Sequence, residues 1–227
     1  KLVVSELSRV IGEALDKLSD EMVARAMTEA RRENQQVLLE AVSVVRKHRS
    51  DIEFRFRESF ADVLRRRMFK RGGAAAAEPA GGLELALVDD DAVEERIAME
   101  RLAQRARNRL DPDQVLGMRA RLAALLDREW FEENDHPASP EAVFDALRCA
   151  LDALAPAAEV RSALLQAFEP HVSVGLNNVY SFVNERLKSN RILPTIRPRV
   201  VGSAESRARG KDDGRVAEQA AAASPIA

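Results

Sequence analysis

The stretch "ELALVDDDAVEERIAMERLAQR", residues 84–105, decides how the chain is to be read, because its acids fit either a metal site or the start of a helix. Carboxylates are hard ligands suited to calcium or magnesium. A calcium loop, however, needs alternating oxygen ligands, a glycine at its turn and a terminal glutamate, and the consecutive Asp89, Asp90 and Asp91 do not supply that spacing. A helix start uses every residue. Asp91 is the expected N-cap and Glu94 its capping-box partner, while Asp89, Asp90 and Glu95 gain from the positive end of the helix dipole. Val93, Ile97, Met99, Leu102, Ala103, Ala106 and Leu110 then follow at helical spacing. No metal and no cofactor is assigned to the stretch.

Helical signals recur on both sides of it. Asp111-Pro112-Asp113-Gln114 sets Asp111 as a cap with proline at the first helical position, and Val115, Met118, Leu122, Leu125 and Leu126 line the face behind it. Ser139-Pro140-Glu141 repeats the signature after the loop "WFEENDHPASPEAV", ahead of Val143, Phe144, Leu147, Leu151 and Leu154. Val160, Leu164, Leu165 and Phe168 predict a short helix broken or restarted at Pro170, and Val172, Leu176, Val179, Val183 and Leu187 predict the last. Upstream, Leu7, Val10, Ile11, Ala14, Leu15, Leu18, Met22, Val23 and Ala26 form one apolar stripe. The polar "RRENQQ" at 31–36 interrupts it, so one long helix and two end-to-end helices both fit. Ser50 with Glu53 forms a second capping box, which predicts a fresh helix there carrying Ile52, Phe56, Phe60, Val63 and Leu64.

The expectation is an all-α chain: a long-helix region over 1–71, a Gly/Ala linker over 72–82, a helical bundle over 83–198 and a disordered tail over 199–227. Leu83, Leu85 and Leu87 alternate with other residues, which suits a short extended segment laid across helices. The 227 residues, 46% hydrophobic and 32% charged with 4% aromatics, suit a globular chain with an aliphatic core. A net charge of -2 gives no general pull toward nucleic acid, and no apolar run reaches the length of a membrane span. With one cysteine, Cys149, there is no internal disulfide; it is expected as a buried structural thiol, and the chain as cytoplasmic. A first residue other than Met suggests a fragment of a longer protein.

Candidate chemistry is sparse. His48, His136 and His171 lie far apart without a partner at metal spacing; His136 is expected in a loop and His171 at a helix junction. No catalytic residue is assigned, and an enzymatic reading would need the acids of 89–95 to meet His171 or Glu132 around a metal. Residues 46–71 carry ten cations against four acids, with Arg65, Arg66, Arg67, Lys70 and Arg71 as the candidate partner-binding group. The alternative is an intramolecular role, in which this face pairs with acidic segments at 89–95 and 127–145.

"ELALVDDDAVEERIAMERLAQRAR", "WFEENDHPASPEAV" and "LLQAFEPHVSVGLNNVYSFVNERLKSNRILPTIRPR" together resemble the N-terminal part of a bacterial family named domain of unknown function 1631, over residues 37–198. The family pattern falls on Leu87 to Asp91, Glu94, Glu95, Asn134 to Pro140, Phe168, His171 and Val172. Here Asp135-His136 stands where the family has Asn directly before Pro, and Pro170 precedes His171. The resemblance implies no activity. Some members carry a thymidine phosphorylase label, but no glycine loop between strand and helix is present to cradle a phosphate, and Gly117 sits inside a helix. The reading preferred is a non-enzymatic interaction or regulatory module of a larger protein. Its partner is another protein or the C-terminal remainder of the same one. A cyclic-dinucleotide signalling role stays open, with its nucleotide site outside this chain.

Overall fold

The structure, a computed structural model, describes residues 1–69, 90–131, 136–154 and 156–195. Among them stand α1 (Leu2–Thr28), α2 (Arg32–Phe69), α3 (Asp90–Arg107), α4 (Pro112–Leu125), α5 (Pro140–Asp152) and α6 (Ala158–Ser189), and no strand. The protein is all-α. The stretch 72–82, the segment Leu83 to Val88 and the tail 199–227 lie outside the described residues.

Between α1 and α2 the helix ends. Glu29 takes an extended conformation (φ -73°, ψ 125°), its carboxylate accepts from the Arg31 amide at 3.1 Å, and Gln35 Nε2 donates back to the Ala26 carbonyl at 3.1 Å. The polar interruption thus makes a corner, and the two helices fold back into a hairpin. Leu7, Ile11, Leu15, Leu18 and Met22 of α1 are buried, as are Val45, Ile52, Phe56 and Phe60 of α2.

The break expected at Ser50 falls two residues earlier: α2 is two helical arms joined across a kink at His48 (φ -117°, ψ 19°). Val45 before the kink and Ile52 and Phe56 after it keep one buried stripe at i, i+7 and i+11, so both arms stay packed on the core. Glu53 pairs with Arg49 at 3.3 Å, and Arg49 also reaches Asp16 of α1 at 2.7 Å.

Pro170, by contrast, does not break its helix. α6 spans Ala158–Ser189 with Pro170 inside. An internal proline removes an amide and costs about 3 kcal/mol. On either side Phe168, Val172 and Leu176 are buried, and each such side chain contributes about 1.5–3 kcal/mol. Burial wins, and the helix persists. Its middle approaches α1 so closely that a Cβ on Gly175 would lie 2.1 Å from Val10 Cγ1.

The remaining helices pack around this frame, α5 on α2, α4 on α6, and α3 on α5 and α6. One core cluster takes residues from all six. Lys1–Pro194 forms one compact unit that includes the helices on both sides of 72–82.

Candidate functional site

The basic end of α2 divides. Arg65 is exposed and pairs with Asp62 one turn back at 3.0 Å, and Arg66 Nε donates to the Asp62 carbonyl of its own helix at 3.5 Å. Arg67 turns inward. It donates to Ser139 Oγ at 3.0 Å and to Asp145 at 3.0 Å, fastening α2 to the start of α5. Consecutive residues on a helix point about 100° apart, so three adjacent arginines cannot share one face. Lys70 and Arg71 lie outside the described residues.

Ser139 and Asp111 stand at helix N-termini, each followed by proline. Ser139 Oγ accepts from the Ala142 amide at 3.3 Å, and Asp111 Oδ1 accepts from Asp113 and Gln114 at 2.9 and 3.4 Å. Asn177 of α6 clips the same turn from both sides, accepting from the Asp111 amide at 2.8 Å and donating to the Arg109 carbonyl at 2.9 Å. α3 begins at Asp90, so Asp91 is its second residue rather than its N-cap, an offset of two residues. The side chain of Asp91 is outside the described residues.

His136 sits in a bend before α5 but is buried, in edge contact with the Tyr180 ring at 5.8 Å. Tyr180 donates its hydroxyl proton to the Ala138 carbonyl at 2.6 Å, which leaves the phenol oxygen to accept from His136 Nε2 at 3.4 Å. Burial, reinforced by Arg119, Arg67 and Arg107, pushes the imidazole down to about 3, so it stays neutral. Burial likewise raises Tyr180, so neither group exchanges protons near neutrality. Around them Arg107 pairs with Glu141, Arg119 holds the Phe131 carbonyl at 2.7 Å and stacks on Trp130 at 4.6 Å, and Arg128 caps the Met68 carbonyl at 2.7 Å. This polar end is a clamp that docks Arg128 on α2 and His136 on α6.

The other histidines are placed apart. His171 meets Glu21 of α1 at 2.9 Å, and His48 meets Asp51 at 3.3 Å. Glu95 pairs with Arg161 of α6 at 3.1 Å, so the acidic segment and His171 are not brought together, and Glu132 lies outside the described residues. Among the described residues no group of three His, Cys, Asp or Glu side chains could hold a metal ion. Cys149 is half-buried rather than buried, because it flanks the inward stripe of Ala146, Leu147 and Ala150.

A second polar cluster escaped the sequence. Arg121 is buried and donates to Asn184 Oδ1 at 2.8 Å, while Asn184 Nδ2 donates to the carbonyl and side chain of Gln114 at 2.9 Å. Gly117 makes room for it, since a Cβ there would lie 2.7 Å from Arg121 Nη1. The glycine inside a helical pattern was the one available signal.

A wide concavity lies elsewhere. A cleft of about 960 Å³ is walled by the α1–α2 corner, α3 and the first turns of α6. Val37, Leu38, Met99, Leu102 and Leu165 supply its apolar floor. Charged groups line its sides: Arg25 and Glu29 from α1 and its corner, Glu94, Glu95, Arg101 and Arg105 from α3, and Glu159 and Arg161 from α6. Nothing in its chemistry gathers a nucleophile, a base and an oxyanion donor at one point. What it offers is an amphipathic trough between helices.

The family model described as "Protein of unknown function (DUF1631) N-terminal domain" matches residues 1–190. The resemblance seen over 37–198 therefore extends through α1, the helix against which α2 and α6 pack. No curated protein and no solved structure matches the chain.

Proposed function

From the premise that the chain belongs to the DUF1631 family through its N-terminal domain, we propose that it is a helical interaction module that docks an amphipathic helical segment of a protein. The observation that carries this reading is the cleft between the α1–α2 corner, α3 and α6, with apolar floor and charged walls. Helix-in-groove recognition needs this combination: apolar surface supplies affinity, and ordered charge fixes register and direction. The buried His136–Tyr180 pair, both locked out of proton exchange at neutral pH, supports a packing role for the polar end.

The test is photo-crosslinking in living cells with p-benzoylphenylalanine in place of Ala163, on the α6 wall of the cleft, and in place of Val174, which is 64% exposed on the same helix. Covalent protein adducts formed from position 163 and not from 174 are expected. Equal adducts from both positions, or none from 163, would remove the cleft as the docking surface.

A further inference from the structure

The α3 residues that line the cleft include Glu95, Met99 and Leu102 and, in one row along the helix, Glu94, Ala98, Arg101 and Arg105. The positions in this row fall at i, i+4, i+7 and i+11, the spacing of a heptad seam on one helix face. The order of charge along it is acid first, base last. Arg96 and Glu100, which interrupt that order in the sequence, are exposed and do not line the cleft. Arg101, Arg105 and Glu94 have no ion-pair partner among the described residues, while Glu95 is held by Arg161 and Arg107 by Glu141.

Such a stripe is complementary to itself when reversed. Laid antiparallel on a copy of α3, Glu94 of each helix faces Arg105 of the other and Ala98 faces Arg101, with the two-fold axis beside Met99. A parallel pairing would set like charges opposite one another. Ile97, 40% exposed, lies one turn before Arg101 at the edge of this row. A two-fold interface requires that residue i meet j while j meets i, and this sequence of side chains satisfies that requirement.

We propose that the occupant of the cleft is α3 of a second copy of this chain, docked antiparallel, so that the protein is a reversible homodimer about a two-fold axis at Met99. The proposal rests on the reading of the cleft as a docking surface and names its ligand. Val37 and Met99, the half-buried apolar residues of the cleft, supply apolar contact, and the Glu94–Arg105 pairs select antiparallel over parallel.

Sedimentation equilibrium of the 227-residue chain over rising concentration tests it directly. Wild type is expected to self-associate, Glu94→Arg and Arg105→Glu each to weaken association about tenfold or more, and the Glu94→Arg/Arg105→Glu double variant to recover it. Both side chains are exposed, so far-ultraviolet circular dichroism should show unchanged helix content in every variant. A wild type that stays monomeric, single variants that associate like wild type, or a double variant that does not recover would each overturn the homodimer. The crosslink at position 163 separates the two levels. An adduct of twice the 25.1 kDa chain is the second copy. An adduct of another mass overturns the homodimer while leaving the docking reading intact, and no adduct removes both.

Discussion

The α1–α6 contact and the α2–α5 end hold the same fold together by opposite means. Where α6 crosses α1, a glycine admits a valine, and the buried residues around it, Leu7, Ile11, Phe168, Val172 and Leu176, are almost entirely apolar. Where α2 meets α5, Arg67, Arg107, Arg119 and Arg128 reach carboxylates, a serine and bare carbonyls, with a neutral histidine and a tyrosine enclosed among them. The first contact is sensitive to volume. The second depends on protonation and on its polar partners being present.

That contrast breaks most sharply at Gly175. Replacing it with Val drives a side chain into Val10 at a site with no free space, and overpacking of this kind costs about 3 kcal/mol. Urea unfolding should show the loss, with recovery when Val10→Ala is added; equal stability of Gly175→Val and wild type would contradict the close approach.

Next comes the pH dependence of the polar end. An imidazole held at about 3 in the folded state, against 6.5 when unfolded, binds fewer protons folded than unfolded between those values. Its contribution is therefore fully present above about pH 6.5 and is lost as pH falls toward 3, at about 1.4 kcal/mol per pH unit. Between pH 7 and 5 the wild type should lose about 2 kcal/mol more than His136→Phe does. Parallel losses in the two proteins would place the imidazole in contact with water.

Arg67→Ala should destabilise by about 1.5 kcal/mol by removing its hydrogen bonds to Asp145 and Ser139. Arg65→Ala, three-dimensionally distinct though two residues away, removes only an exposed pair with Asp62 and should change stability by less than about 0.5 kcal/mol. Chemical denaturation of the two variants side by side sharpens the comparison, since equal effects would mean that the arginines act as one surface.

Local signals were legible in the sequence. Pro112 and Pro140, each after a short polar residue, mark the starts of α4 and α5, because capping involves only neighbours in the chain. Features decided by distant packing were not. Pro170 carries a stop signal that the burial of Phe168 and Val172 overrides, whereas the capping pattern at Ser50 and Glu53 lies just past a real kink at His48. The inward turn of Arg67 was open as an intramolecular alternative, because the acidic segment 127–145 contains Asp145; only the packing of α5 on α2 selects it. The cleft was invisible for a related reason. It is assembled from four helices, and no single stretch of sequence contains more than one wall.

The proposed recognition surface is the α3 cleft and not the basic end of α2. The most direct measurement is the yield of the position-163 crosslink in wild type, in Glu94→Arg and in the Arg65→Ala/Arg66→Ala pair. The account predicts that the adduct is lost with Glu94→Arg and unchanged when the two arginines are removed. An adduct that survives Glu94→Arg and disappears with Arg65→Ala/Arg66→Ala would contradict it.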